Sequence, residues 1–445
     1  MSAPMKILPR LPVVVILGAT GCGKSKLAIE LARKFNGEII SADSMQVYKG
    51  LDIITNKVTA EEQAQCRHHM ISYVDPLTTK YTVTEFRNKA LAIIDKLIAD
   101  EKLPVIVGGT NYYIESVLWN FLVDKKNGED TDGGDDGSEE ERICNTENAN
   151  SSTYDDLDNV TLHKKLMEID IETAQRLHPN DRRKVLRALE IYEHHDRPMS
   201  EILSEQRIRA EDKSGPLRYE SPCIFWIQCE QKVLDGRLDD RVDEMIEKGL
   251  LNELTEFHHK YNRDRLQHNQ DADYETGIFQ SIGFKEFHPY LMLDDQGRQT
   301  YDGQQLLEDG IERLKLVTRR YSKKQQRWIK NRFLKRPGPG VPSVYGLDST
   351  DPVNWTERVN TPACNVLQAI LNGDVPAISP LSCDEDRDEP DYNICTVCEG
   401  RVFVTKYQWQ AHMKSRRHRH MVGRYHRSTS ESSQGESPSE IEDKT

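Results

Sequence analysis

"GATGCGKS", Gly18 to Ser25, decides the fold. One glycine, four residues, a second glycine, then Lys24 and Ser25 is the spacing of a phosphate-binding loop. Upstream, "LPVVVILG" (11–18) is a continuous apolar run closed by proline and glycine, which reads as a buried parallel strand. Downstream, "KSKLAIELARKF" puts Leu27, Leu31 and Phe35, with Ala28 and Ala32, on one helix face. In a strand–loop–helix of this kind, backbone N–H groups converge on phosphate oxygens and the helix dipole adds to their pull. Gly18, Ala19, Thr20, Gly21, Cys22, Gly23, Lys24 and Ser25 are therefore expected to hold a di- or triphosphate. Lys24 would supply a mobile positive charge, Ser25 a ligand for Mg²⁺, and Cys22 only its backbone.

Further along, "GEIISADS" (37–44), "LPVIVGGT" (103–110) and "SPCIFWIQCE" (221–230) read as more strands, the second following the amphipathic "TEFRNKALAIIDKLIAD". Alternating strands and helices predict an α/β fold: a P-loop NTPase-like parallel sheet flanked by helices, with active groups at the strands' C-terminal ends. The expected organisation is a first core part (1–123), an acidic disordered insertion (124–156), a helical insertion (157–215), and a return to the core ending in basic helices (216–336). A Pro/Gly-rich linker (337–390), a small metal-binding module (391–427) and a Ser/Glu-rich tail (428–445) complete it.

Net charge is −13, which on its face excludes a nucleic-acid partner. The distribution reverses that reading. Residues 313–336 hold eleven Lys/Arg and 401–427 hold eight, with no Asp or Glu in either stretch. Local basic patches outrank the total. Arg320 and Lys323 lie in the first patch, around Tyr321 and Trp328, where phosphates and stacked bases could both be met. No apolar run approaches the ~20 residues of a membrane helix. The nine scattered cysteines fit a reducing compartment. "MSAPMKILPRLP" lacks a signal-peptide core and is short for a transit peptide, so we expect a cytoplasmic monomer, with mitochondrial import as a second destination.

Only Cys395 and Cys398 have ligand-like spacing. With His412 and His418 they form Cys-x2-Cys-x13-His-x5-His, two thiolates and two imidazoles for a closed tetrahedral Zn²⁺ site; His420 competes with His418 for the fourth place. The pair His68–His69 lacks a third ligand nearby and reads as structural.

The strand "VIVGGT" ends without the carboxylate that an NTPase often puts there to hold metal; the nearest one at a strand end is Asp43. A metabolite kinase and a non-catalytic finger protein with a dead phosphate loop are the rival readings. Release of ADP would mark the first; an intact Gly23-Lys24-Ser25 with Asp43 argues against the second.

Together and in this order, "GATGCGKS", "SADSMQVYKGLDIITNK", "VGGTNYY", "HPNDRRKVLRALEIY", "RLDDRVDEMIEKGLL", "QSIGFKE" and "TRRYSKKQQRWIKNRF" closely resemble the tRNA dimethylallyltransferases, or tRNA isopentenyltransferases. The C-terminal finger resembles their eukaryotic branch and the matrin/U1 type of finger. The resemblance covers about 11–125, 157–336 and the finger. It implies transfer of a dimethylallyl group from its diphosphate to N6 of adenosine 37, beside the tRNA anticodon. On that reading Asp43 is the general base, Lys24 and Thr20 assist, and Arg237 reaches the diphosphate, with Arg241 as the competing choice. The resemblance also places tRNA against Asp43, Ser44, Met45 and Gln46, against Thr110, against Arg183, Lys184, Val185, Leu186 and Arg187, and against Ser281, Gly283 and Lys285. For Thr110, capping the next helix is the plainer alternative.

Overall fold

A computed structural model describes residues 11–119, 154, 157–202, 204, 217–219, 221–261, 274, 276–335, 342–382, 390–398 and 400–432. The acidic stretch 124–156, apart from Tyr154, and the tail beyond 432 lie outside them. The chain forms two compact units.

In the first unit the apolar run at the start becomes strand β1 (Val14–Gly18), every residue of it buried. Helix α1 (Lys24–Lys34) follows the loop, then β2 (Gly37–Ser41) and the two-residue β3 (His68–His69). Helix α2 (Val83–Ala99) starts in a capping box in which Thr82 and Glu85 satisfy each other's backbone N–H groups, and it leads into β4 (Leu103–Val107) and α3 (Asn111–Leu118). The chain returns at β5 (Cys223–Gln228). The sheet is closed on that side by β6 (Val344–Asp348). Its order is β3-β2-β4-β1-β5-β6, and every pairing is parallel. Because parallel strands all finish at one edge, the loops leaving β1, β2 and β4 meet there.

Alternation along the strands sends side chains to two cores. On one face Val13, Val15, Leu17, Ile40 and Ile106 pack with Phe86 and Ile94 of α2 and with Trp328 and Phe333. On the other, Val14, Ile16, Ile39 and Val105 pack with Leu27 and Leu31 of α1 and with Val366 and Leu367. Full burial of each such side chain is worth ~1.5–3 kcal/mol, so both faces are firmly held.

The expected linker 337–390 is corrected here. Its described part carries β6, a π-helical turn (Thr356–Asn360) and a helix (Thr361–Asn372), all built into the first unit. "VYGLD" is an edge strand with Gly346 at its centre, where a Cβ would lie 3.0 Å from Leu381. A glycine in mid-strand and a Pro/Gly preface hide such a strand from composition. The His68–His69 pair is structural: Glu38 takes His69 Nε2 at 2.6 Å on one carboxylate oxygen and Lys102 Nζ at 2.5 Å on the other.

The second unit is made by helices α4 (Asn159–Ile169), α5 (Ile171–Arg176) and α6 (Arg182–His195) together with the finger. Leu162, Leu166, Ala174, Val185 and Leu189 form its helical core. The finger is the antiparallel hairpin β7 (Pro390–Cys395) and β8 (Arg401–Thr405), followed by two helices, Lys406–Met413 and Arg416–Ser432. It is docked, not tethered: the Tyr392 ring lies parallel to that of buried His163, centroids 6.1 Å apart.

Among the described residues no helix is long and apolar enough to cross a membrane.

Candidate active site

Two further helices of the first unit frame the strand ends: α7 (Gln231–Glu247), and the long α8 (Tyr301–Ile329). The phosphate loop turns on Gly23, whose left-handed φ of 94° suits a residue without Cβ at the N-cap of α1. A Cβ there would also lie 2.7 Å from the Trp355 ring, which backs the loop and is itself held by Glu30 at 3.0 Å from the indole nitrogen. Lys24 is buried, with Nζ donating to Ala19 O at 2.8 Å; Ser25 is exposed on the first turn of α1.

Asp43 follows β2. Its Oδ1 accepts from the N–H of Met45 at 2.9 Å and of Gln46 at 3.3 Å. Burial pushes its carboxyl above the usual carboxylate range, against the pull of those two bonds, of Lys24 and of the Gly109 N–H. Gly109 sits so close that a Cβ on it would lie 2.9 Å from Asp43 Oδ2.

Arg241 of α7 donates to Thr20 Oγ1 at 3.0 Å. Burial lowers its guanidinium to about 10, while the Asp43 carboxylate pulls the other way. Arg237, expected to reach the diphosphate, points elsewhere: it donates to Thr350 O at 2.9 Å and touches Cys229 Sγ at 3.6 Å. The two arginines are one turn apart on α7, and only the second arrives at the loop. Thr20, Lys24, Asp43 and Arg241 thus lie close together at the strand ends, a hydroxyl and two cations beside one carboxylate.

A family model described as IPP transferase matches residues 46–332. The chain belongs to the IPP transferase family. It is 49% identical to the mouse tRNA dimethylallyltransferase over 93% of this chain and 86% of the mouse protein. The human tRNA dimethylallyltransferase is likewise 49% identical, over 92% of this chain and 85% of its own length. A crystallographically studied eukaryotic dimethylallyltransferase acting on tRNA superposes with a TM-score of 0.74 at 31% identity, covering 95% of this chain and 99% of that one.

The residues expected to meet nucleic acid fall into several environments. Thr110 is buried; its hydroxyl accepts the Ser44 N–H at 2.9 Å and donates to Ser44 Oγ at 3.0 Å, so it clips the Asp43 loop and makes no side-chain cap on α3. Gln46 spends its amide on Thr55 O, Asn56 O and Ser41 Oγ, each at 3.0 to 3.1 Å. Ser281 Oγ lies 3.2 Å from Met45 Sδ, bringing two expected contact segments together. Gly283 packs on Ile54, and Lys285 is exposed. On α6, Val185 is fully buried and Leu186 packs beside it, while Arg183, Lys184 and Arg187 are half-buried.

The basic helix α8 is partly spoken for. Lys315 pairs with Asp243 at 2.7 Å, Arg319 with Asp239, and Lys323 with Asp235 at 3.4 Å, a ladder along α7. Arg332 is locked on buried Glu115 at 2.7 Å. Arg320, Lys324 and Arg327 are exposed on another face. Buried Gln325, which the sequence reading did not single out, lies inside the crevice instead.

In the finger, the ligand atoms of Cys395, Cys398, His412 and His418 all lie within 4.8 Å of one another and all four residues are buried. Each sulfur is 3.5 Å from His418 Nδ1, the separation that tetrahedral Zn–S and Zn–N bonds of about 2.3 and 2.0 Å would impose. His412 Nε2 is buried with no hydrogen-bond partner, as expected of a ligand atom. His420 is exposed, so His418 completes the set.

Proposed function

We propose that this IPP transferase transfers a dimethylallyl group from dimethylallyl diphosphate to N6 of adenosine 37 of tRNA, releasing diphosphate. The observation that carries the reading is the closeness of the Asp43 carboxylate to Lys24 and Arg241, the latter bonded to Thr20. Adenine N6 is a weak nucleophile because its lone pair is delocalised into the ring. As the N6–carbon bond forms and the carbon–oxygen bond to the diphosphate breaks, N6 becomes acidic and Asp43 takes its proton. The raised affinity of buried Asp43 for a proton suits that task. Negative charge grows on the departing diphosphate, where the loop amides, Lys24, Thr20 and Arg241 stabilise it as it forms. Ser25 would hold Mg²⁺ shared with the phosphate oxygens, adding positive charge beside the leaving group.

The adenosine must leave its stack to enter the crevice. Exposed or half-exposed cations supply the phosphate contacts: Arg183, Lys184 and Arg187 on α6, Lys285, Arg320 and Lys323. The Ser44–Gln46 and Ser281–Gly283 segments, joined through Met45, line the approach by shape and backbone. The finger binds Zn²⁺ through Cys395, Cys398, His412 and His418 and clamps the tRNA, as the eight Lys/Arg and no acids of its residues 401–427 suggest.

Incubation with radiolabelled dimethylallyl diphosphate and unmodified tRNA, then digestion, tests this. Labelled N6-isopentenyladenosine from position 37 and free diphosphate are expected. Label on no nucleoside, or ADP formed from ATP, would overturn the reading.

A further inference from the structure

Gln325 occupies a position that neither phosphate chemistry nor RNA binding requires. It is on α8, 2% exposed, on the buried helix face that also carries Leu314, Ser322, Trp328 and Ile329. Its side-chain amide is used at both ends. Oε1 accepts the N–H of Thr20 in the phosphate loop at 2.8 Å, and Nε2 donates to Gly109 O in the turn after β4 at 2.9 Å. Both partners are backbone groups of fixed polarity, so the amide can face only one way. Tyr321, one turn earlier, also reaches Gly109 O, at 3.4 Å.

These contacts extend in both directions. Beyond Gly109, the turn abuts Asp43, where a Cβ on Gly109 would lie 2.9 Å from Asp43 Oδ2; beyond Thr20, its hydroxyl receives Arg241. A continuous chain therefore runs from Asp43 through the Gly109 peptide, the Gln325 amide and the Thr20 residue to Arg241. We infer that Gln325 is the positioning residue that sets the distance between the general base and the diphosphate cradle. This rests on the reading of Asp43 as the base.

Only a side chain of this length with one acceptor and one donor spans the gap. Glutamate keeps an acceptor for Thr20 but offers Gly109 O no proton and repels it. Leucine fills the space and makes neither bond. Both Gln325→Glu and Gln325→Leu should reduce kcat by about 10–10²-fold, because an ångström of misplacement costs that much, while KM for tRNA stays near the parent value. The acid limb of kcat against pH separates this role from mere packing. A loosened Gly109 N–H supports the carboxylate less, so the limb should move to higher pH, with Lys24, Arg241 and Tyr321, which face the same pocket, unchanged. A packing residue would lower the melting temperature and leave the limb where it was.

The experiment measures kcat, KM, the pH profile and thermal melting of the full chain and of these two variants, alongside Asp43→Asn. If both variants keep kcat within about threefold with an unmoved limb while Asp43→Asn is inactive, the inference fails and the base reading stands. If Asp43→Asn turns over normally, the base reading itself fails, whatever Gln325 does. Should the leucine variant not fold, Gln325→Glu carries the same two readouts.

Discussion

Two glycine turns end neighbouring strands of the same sheet, and they need glycine for different reasons. The turn after β1 needs it for conformation: Gly23 has a left-handed φ of 94° at the N-cap of α1. The turn after β4 has no left-handed residue; it needs glycine for space. A Cβ on Gly108 would lie 1.9 Å from Ala42 O, and one on Gly109 would crowd Asp43 and Gln325. On the proposed reading the first turn would meet the leaving group, and the second packs against the loop that carries Asp43. The lesson is that a conformational requirement leaves a spacing in sequence, whereas a requirement for close approach depends on what arrives from elsewhere.

The largest effect should come from the group the second turn supports. Asp43→Asn should lower kcat/KM by about 10²–10⁴-fold, the usual contribution of a general base, with tRNA affinity within a few-fold. Burial raises the Asp43 pKa above its unfolded value, so the folded state takes up the proton more readily. Activity should therefore rise with pH through an inflection above the ordinary aspartate value of about 3.9, as the base ionises. The stability sign is the opposite: above that inflection the charged carboxylate opposes folding, and acidification relieves it. The asparagine variant should then melt no lower than the parent at neutral pH. A matching acid inflection in the variant's residual activity would remove Asp43 from the base role.

Next is the cation of the first turn. Lys24→Ala should lower kcat by about 10²–10³-fold and weaken inorganic diphosphate binding, while tRNA affinity holds. Equal loss of tRNA affinity would show that the loop and the base do not divide the work in this way.

The turns themselves then separate by readout. Gly23→Ala forces a side chain into left-handed backbone, at roughly 1–2 kcal/mol, and onto the Trp355 ring; diphosphate binding should suffer most. Gly109→Ala should leave diphosphate binding intact and cut kcat by about 10–10²-fold through displacement of Asp43. Identical defects in the two variants would erase the distinction between them.

How much of this could be read in advance follows the same division. The strand and helix around the glycine loop after β1 and the four finger ligands were legible because each is a local pattern of residue types. The helix α8 was legible as basic, but its ladder to Asp235, Asp239 and Asp243 was not, since those acids lie some eighty residues away along the chain. Arg237 and Arg241 are equally good on paper; only the direction of α7 chooses between them. Gln325 was least legible, because its partners at 20 and 109 come from separate segments. One signal was available: an amide at helical spacing from Trp328 and Ile329 on the inward stripe, where a polar group must find partners. Trp355 and β6 were hidden by the Pro/Gly stretch before them.

The smallest effect belongs to Thr110, which resemblance assigns to tRNA and geometry to the Asp43 loop. Thr110→Val keeps the shape and removes the hydroxyl that accepts the Ser44 N–H and donates to Ser44 Oγ. One or two hydrogen bonds of ordinary net worth correspond to about 3–10-fold, and this should fall on kcat. Thr110→Ser, which restores the hydroxyl, should recover most of it. Because the side chain is buried and its bonds stay within the protein, tRNA affinity should be the same in all three proteins. If Thr110→Val instead weakens tRNA binding and leaves kcat alone, the hydroxyl meets the nucleic acid, and the second turn is part of the RNA surface as well as the support for the base.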